Sequence, residues 1–211
     1  MKISIITITL NSELTIRDTL NSVLSQTYNN IEHIIVDGGS SDSTLSIIKK
    51  YPNKNKKIFV RKKTNIYQAM NVGIKKSTGK FIAILNSDDF YQNNNIIENI
   101  VKDIKKHPNT KIFFGNLVYF KNNDYYKIVR YYPATNFSSW MIKYGIMPPH
   151  PASFIHREIY NKYGLYKEDF DIASDFDLFL RFLFLHKLNF KIIERTIVRM
   201  RTGGVSGRDL N

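Results

Sequence analysis

The feature that most constrains this chain is a pair of short β-branched apolar runs, KISIITIT at 2–9 and IEHIIVD at 31–37, separated by a segment of helical period. Runs this short and this uniformly apolar suit parallel strands buried on both faces. Between them Leu14, Ile16, Leu20, Val23 and Leu24 recur at helical spacing, and Ser12 stands where an N-cap belongs. A second helix is expected after the second run, capped by Asp42 or Ser43, with Leu45, Ile47 and Ile48 as its apolar face. A strand at about 57–61, a helix at 66–75 and a strand at 80–85 continue the alternation, which marks an α/β unit around a parallel sheet. Such sheets bind ligands beyond the carboxyl ends of their strands. Three polar clusters fall at those ends: Thr9-Leu10-Asn11-Ser12, Asp37-Gly38-Gly39-Ser40 and Asn86-Ser87-Asp88-Asp89. They are expected to converge on one rim.

After Phe90 the character changes. A helix at 94–106 precedes two strands rich in Tyr and Phe, 111–120 and 125–132, joined by the hairpin-like turn Lys121-Asn122-Asn123-Asp124. The Pro-rich MPPHPA at 147–152 leads into a short strand, SFIH, and IASDFDLFLRFLFLHK at 172–187 predicts a helix buried on several sides. No repeat or low-complexity linker interrupts the chain. The expectation is one domain over 1–211, with a nucleotide-type half at about 1–110 and a looser aromatic half at about 111–211.

Composition narrows the function classes. With no cysteine, disulfide and thiolate chemistry are excluded and a reducing compartment is expected. MKISIITITL is not a signal-peptide pattern, and no stretch reaches the roughly 18–20 apolar residues of a spanning helix, so the location expected is cytoplasmic. A net charge of +13 calls for an anionic partner: nucleic acid, an anionic membrane face or a phosphorylated small molecule. The densest basic stretch, KKYPNKNKKIFVRKK at 49–63, is either a solvated loop with a strand edge or a binding patch. Neither a zinc-ligand set nor an RNA-binding aromatic signature accompanies it, and no nucleic acid partner is expected.

Several residues have chemistry to offer, each with a plainer alternative. Asp37, before Gly-Gly, is a turn and helix cap or a carboxylate brought close to a ligand. Asp88-Asp89 is an Asx-turn, or a repelling pair relieved by a hard divalent cation and substrate phosphates. Asp175 and Asp177, two apart on a helix, face different ways, and Asp177 pairs naturally with Arg181 four residues on. That leaves Asp175, beside Phe176, as a general base or simply a favourable first-turn acid. His150, between prolines, is a ligand, a phosphate contact or a surface loop residue. Arg199, Arg201 and Gly203-Gly204 suggest a basic flexible segment suited to closing over phosphates, or a plain tail.

Taken in order, SIITITLNSELTIRDTLNSVLSQTY, IIVDGGSSDST, IYQAMNVGIKKSTGKFIAILNSDD, HPASFIHREIYNKYGLY, SDFDLFLR and RTGGVS resemble a family 2 glycosyltransferase over nearly the whole chain. This is the inverting group with the GT-A fold, and the chain is most similar to bacterial members that build surface polysaccharides. The resemblance implies a Rossmann-like α/β fold with a mixed, mostly parallel central sheet flanked by helices. It implies that Thr9 and Asn11 line a nucleobase pocket and that Asp37 hydrogen-bonds uracil. Asp88 would contact ribose and the neighbouring sugar, and Asp89 would bind Mn²⁺ or Mg²⁺ bridging the diphosphate. Asp175 matches the catalytic base, and His150 a histidine close to the diphosphate and metal.

The implied partners are a nucleotide sugar, a UDP-sugar first, and a glycan or polyprenyl-diphosphate-linked glycan. The inner face of an anionic membrane is a further one. RYY at 130–132 and WMIKYGIM at 140–147 are candidates for that interface, against acceptor lining or core packing. One departure stands out. Relatives carry a pattern like PDKGIYDAMN where this chain reads Lys62-Lys63-Thr64-Asn65-Ile66-Tyr67-Gln68-Ala69-Met70-Asn71. Lys63 replaces the acid, Asn65 the glycine and Gln68 the second acid; Asn65 tolerates a left-handed backbone, and Lys63 and Asn71 remain donor-contact candidates. Lys63 also motivates a rival reading, a catalytically silent nucleotide-sugar binder. A nucleotidyltransferase, the other rival, usually opens with a Gly-rich phosphate loop, and none follows the first strand.

Overall fold

A computed structural model describes residues 1–121 and 124–203. The first half follows the expected alternation: β1 (Ile3–Thr9), α1 (Ile16–Leu24), β2 (Ile31–Asp37), α2 (Thr44–Lys50), β3 (Lys56–Val60), α3 (Ile66–Lys76) and β4 (Phe81–Ile84). β1 pairs in parallel with β2 and β4, and β2 with β3. Every residue of β1 and β4 is buried, because helices cover both faces. A Cβ on Gly73 would lie 2.3 Å from the Ile6 side chain, so only glycine lets α3 sit this close to β1.

The second half extends the same sheet. It contains β5 (Phe90–Tyr91), α4 (Ile96–Lys106), β6 (Ile112–Lys121), β7 (Asp124–Tyr132), β8 (Ser153–His156), α5 (Arg157–Tyr163), α6 (Ser174–Phe179) and β9 (Phe190–Arg201). The sheet runs β3-β2-β1-β4-β8-β6-β9-β5, with β7 also on β6. Short β8 is antiparallel to both β4 and β6 and stitches the two halves together. Successive residues feed opposite faces: Ile6 and Phe114 pack with Met70, Phe179 and Phe182, while Ile5 and Phe113 pack with Ile97, Ile100 and Phe154. β3 is the sheet edge, and its lysines are those of a charged edge strand. Among the described residues no helix is long and apolar enough to cross a membrane.

Four local expectations are corrected. Ser12 does not cap α1 with its side chain; its carbonyl accepts the Thr15 and Ile16 N–H groups, and Leu14 is 91% exposed ahead of the helix. The long helix predicted over 172–187 begins at Ser174, and its last turns, Leu180–Leu185, are π-helical. No strand was expected over β9, and its last residues, Arg199 and Arg201, were expected in a basic flexible segment or a plain tail. Its mixed burial hides the strand period, and parallel pairing with β6, broken by a register shift after Gly115, defines it. Asn65 is not left-handed: it is extended (φ −75°, ψ 172°), and the left-handed residue is Lys63 (φ 59°).

Candidate active site

Register alone places the first part of the rim. Thr9 pairs with Asp37, and Asp37 with Val60, so three strands end level. The loops that follow then bind one another. Asn11 accepts the Ser41 N–H at 2.9 Å, its own N–H donates to Ser40 Oγ at 2.9 Å, and the Ser12 and Ser87 hydroxyls lie 2.8 Å apart. The expected convergence of three polar loops is therefore present. Asn11, Lys63 and Ala173 all have positive φ, and all three lie in loops at this end of the sheet or beside Asp175. Such backbone is uncommon outside glycine and collects at functional sites.

The candidates differ in how free they are. The Thr9 hydroxyl is buried without a partner among the described residues. Asp37 is fully buried; one oxygen accepts the Gly39 and Ser40 N–H groups at 2.9 Å and the other the Ser40 hydroxyl at 2.6 Å, the contacts of a tight turn. Asn71 is engaged within the fold. Its amide holds Tyr166 N–H and C=O at 3.0 and 2.9 Å and reaches Glu168 at 2.8 Å, bracing α3 against the 164–169 loop. Lys63 is exposed on the loop beside Gly39.

Asp89 is fully buried, with one oxygen accepting the Arg201 N–H and the other the Asn86 amide, both at 3.1 Å. Burial raises its pKa well above the usual carboxylate range, and the Asp88 charge adds to this, against the hydrogen bonds and the Arg201 charge. Burial also raises Asp88, with Arg201 opposing. Two adjacent carboxyls that resist ionisation together suit a divalent cation, and Mg²⁺ sites commonly use one or two carboxylates plus substrate phosphates. The donor set fits. Among the described residues no cluster of three or more His, Asp or Glu side chains is arranged for a metal.

Arg201 corrects another expectation. Rather than lying in a flexible segment it ends β9, nearly buried, with its guanidinium 3.0 Å from Asp18 and stacked over Phe120 at 4.9 Å. Gly203 follows with φ 95°, and Gly204 lies outside the described residues.

Asp175 opens α6 behind the left-handed Ala173, half-buried, and accepts its neighbour's N–H at 3.0 Å. Asp177 instead pairs with Arg181 at 2.7 Å, as expected. Asp175 acts electrostatically on Tyr67, Tyr132, Tyr166 and His150. His150 is buried, which pushes its pKa down against the Asp175 charge, and its Nε2 meets the Tyr166 hydroxyl. His150 thus adjoins Tyr166 and Phe179 and feels the Asp175 charge. Tyr166 in turn stacks on Tyr67 at 5.8 Å.

The sequence reading did not give this tyrosine shell a role. Tyr67 lies inside the IYQAMN string and was within reach; Tyr166 enters only because Asn71 holds its backbone. Arg130 lies over Tyr119 at 5.5 Å and Tyr132 at 5.6 Å, and those rings feel the charges of Asp89 and Asp175 respectively.

A mixed, mostly parallel sheet flanked by helices, with its polar loops gathered at one rim, is the GT-A type of α/β fold. Residues 4–170 match the model for Glycosyl transferase family 2, and the chain belongs to that family. A PGL/p-HBAD biosynthesis glycosyltransferase of Mycobacterium bovis is 28% identical over 181 residues, covering 84% of this chain and 68% of its own. An uncharacterized glycosyltransferase of Rickettsia typhi is 30% identical over 190 residues, covering 86% and 58%. Among solved structures, S. aureus TarS 1–349 in complex with UDP-GlcNAc superposes with TM-score 0.77 at 23% identity, over 95% of this chain and 60% of that one. The mannosyltransferase PcManGT of Pyrobaculum calidifontis, in complex with GDP-Man and Mn²⁺, gives 0.74 at 14% identity, over 98% and 58%. The chain spans only 37% of the longer TarS chain.

Proposed function

We propose that this protein is an inverting, metal-dependent glycosyltransferase. It moves a sugar from a nucleotide sugar, most naturally a UDP-sugar, to a hydroxyl of a glycan or lipid-linked glycan in bacterial surface polysaccharide synthesis. The observation that carries the reading is the gathering of the three strand-end polar loops at one rim, with Asp89 fully buried beside Asp88 there and Asp175 in the first turn of α6. The UDP-GlcNAc held by TarS and the GDP-Man and Mn²⁺ held by PcManGT support a nucleotide-sugar donor with a cation.

In this reading residues 1–110 bind the donor and 111–211 the acceptor. Thr9, Asn11 and Asp37 face the nucleobase, Asp88 the ribose and sugar, and Lys63 the donor from the neighbouring loop. Asp89, with Asp88 beside it, would hold Mn²⁺ or Mg²⁺, and the ion would supply charge stabilisation for the departing diphosphate. Asp175 takes the proton from the acceptor hydroxyl while that oxygen bonds to the anomeric carbon from the face opposite the diphosphate. The bond to the diphosphate oxygen breaks, and its electron pair leaves with the nucleoside diphosphate. His150 and Tyr166 fix the surroundings of Asp175.

Trp140, Tyr144 and Ile146 are 54%, 74% and 49% exposed, which removes core packing as their role. With Lys143 they form the candidate contact with an anionic membrane or a lipid-linked acceptor.

Asp175→Asn tests the reading on a panel of UDP-, GDP- and dTDP-sugars with Mn²⁺, scored by release of nucleoside diphosphate. Transfer is expected to fall by roughly 10²–10⁴-fold with unchanged melting. Near-normal transfer would refute the base assignment. No release from any donor by the unaltered protein would favour the silent-relative reading that Lys63 motivates.

A further inference from the structure

Four adjacent strand ends meet at the pole of the sheet opposite the rim. Lys2 precedes β1, Lys80 precedes β4, Lys111 precedes β6, and His156-Arg157 follow at the end of β8. Main-chain bonds fix their spacing: Lys80 N–H donates to Lys2 C=O at 2.8 Å, Arg157 N–H to Lys80 C=O at 2.9 Å, and His156 N–H to Lys111 C=O at 2.8 Å. With Thr78, Glu158 and Asn161 these side chains line a cleft of about 510 Å³. That is the size of a small-ligand site.

The cleft concentrates positive charge that the fold does not neutralise. Strands stand roughly 4.8 Å apart, so the backbone itself holds these cations close. The one carboxylate in the lining, Glu158, is 3.6 Å from Lys111 and 3.5 Å from His156 Nδ1, and exposed pairs of this kind contribute little. Lys2 donates to the Thr78 hydroxyl at 3.2 Å and Arg157 to the Ser77 carbonyl at 3.3 Å. Burial pushes the His156 pKa down; Lys111, Lys80 and Arg157 push the same way and Glu158 opposes them. The imidazole thus lies in a positive field. None of these residues has a part in the transfer chemistry above.

We propose that this cleft is a second anion site, which takes a small phosphate-bearing group with two or more negative charges. The charged and polar lining selects phosphate oxygens, which lysine and arginine satisfy with charge-assisted hydrogen bonds. Such a group occurs free, as a diphosphate, or on a lipid headgroup. The site does not depend on the proposed transfer reaction, so failure of either leaves the other standing.

The test follows the His156 ring by NMR in the full chain, without divalent metal and at constant ionic strength. One arm adds inorganic pyrophosphate and the other vesicles containing phosphatidic acid, whose phosphomonoester headgroup carries up to two negative charges. A saturable response with a rise in the His156 pKa is expected, and the arm that produces it identifies the source. The double variant Lys80→Glu/Lys111→Glu should weaken binding at least tenfold, and the milder Lys80→Gln about threefold, while Asp88→Asn at the opposite pole should bind as the unaltered protein does. Silence of His156 in both arms, or a response undiminished in the lysine variants, would overturn the proposal.

Discussion

At the residue scale, Asp89 shows how a side chain placed for a ligand works against the fold that holds it. Its folded pKa is raised, so the native state binds its proton more tightly than the unfolded chain does. Ionisation therefore costs stability, and the cost grows as pH rises from the usual carboxylate value through the raised folded one. Asp89→Asn removes the charge, and Asn86 Oδ1, buried without a partner among the described residues, becomes available to the new amide after a flip. The variant should lose transfer activity yet melt higher at neutral pH, by roughly 2–4 °C for each kcal/mol recovered. A lower melting temperature by calorimetry would show that the carboxylate is a structural anchor instead.

At the element scale, the departures at Asn65 and Gln68 have a local cause. Asn65 Oδ1 accepts the Gln68 N–H at 2.8 Å, and Gln68 Oε1 accepts the Asn65 N–H at 3.0 Å, a reciprocal capping box at the start of α3. Asn65 also donates to the Glu168 carbonyl at 2.8 Å, tying α3 to the loop ahead of α6. The pair starts the helix that presents Tyr67 to Asp175. Asn65→Ala should cost about 1 kcal/mol in urea unfolding. It should also lower turnover, because Tyr67 and the loop lose their common anchor. Unchanged turnover with the expected destabilisation would confine the cap to folding. α6 carries a second signature: left-handed Ala173 at its start and π-helical turns at its end frame a short helix whose first turn holds Asp175.

At the scale of the whole molecule, acid stability rests on two buried groups of β2. Burial works to raise Glu32, but hydrogen bonds from Ser4, the Thr78 N–H, Lys57 and the Thr78 hydroxyl overcome it and hold the pKa at about 2. Its stabilisation is complete above pH 4.5 and is lost as pH falls through about 2; it amounts to about 3 kcal/mol. Burial, aided by Lys56, lowers His33 to about 3, so its share is lost as pH falls below its ordinary 6.5. Asp88 and Asp89 oppose both, since their protonation favours the native state. Denaturant midpoints should therefore fall in two stages, below about pH 6.5 and again below about 4.5. Glu32→Gln should remove the lower stage and reduce stability at pH 7. A profile identical to the unaltered protein would mean that Glu32 is not the group responsible.

The parallel half of the sheet, the rim and the Asp177–Arg181 pair were legible in the sequence, because strand and helix periods and loop positions are local properties. IIVDGG and ILNSDD end apolar runs, and a parallel sheet brings such ends together whatever else the chain does. β9 was not legible, because its partner β6 lies some 70 residues away and its burial alternates with charge. Nor could sequence show that Asn71 is a brace, that Arg201 is docked on the aspartate loop, or that four lysine- and arginine-bearing strand ends form a cleft. Those facts depend on which strands become neighbours, and pairing between distant segments is decided by packing of the whole sheet, which no local pattern encodes.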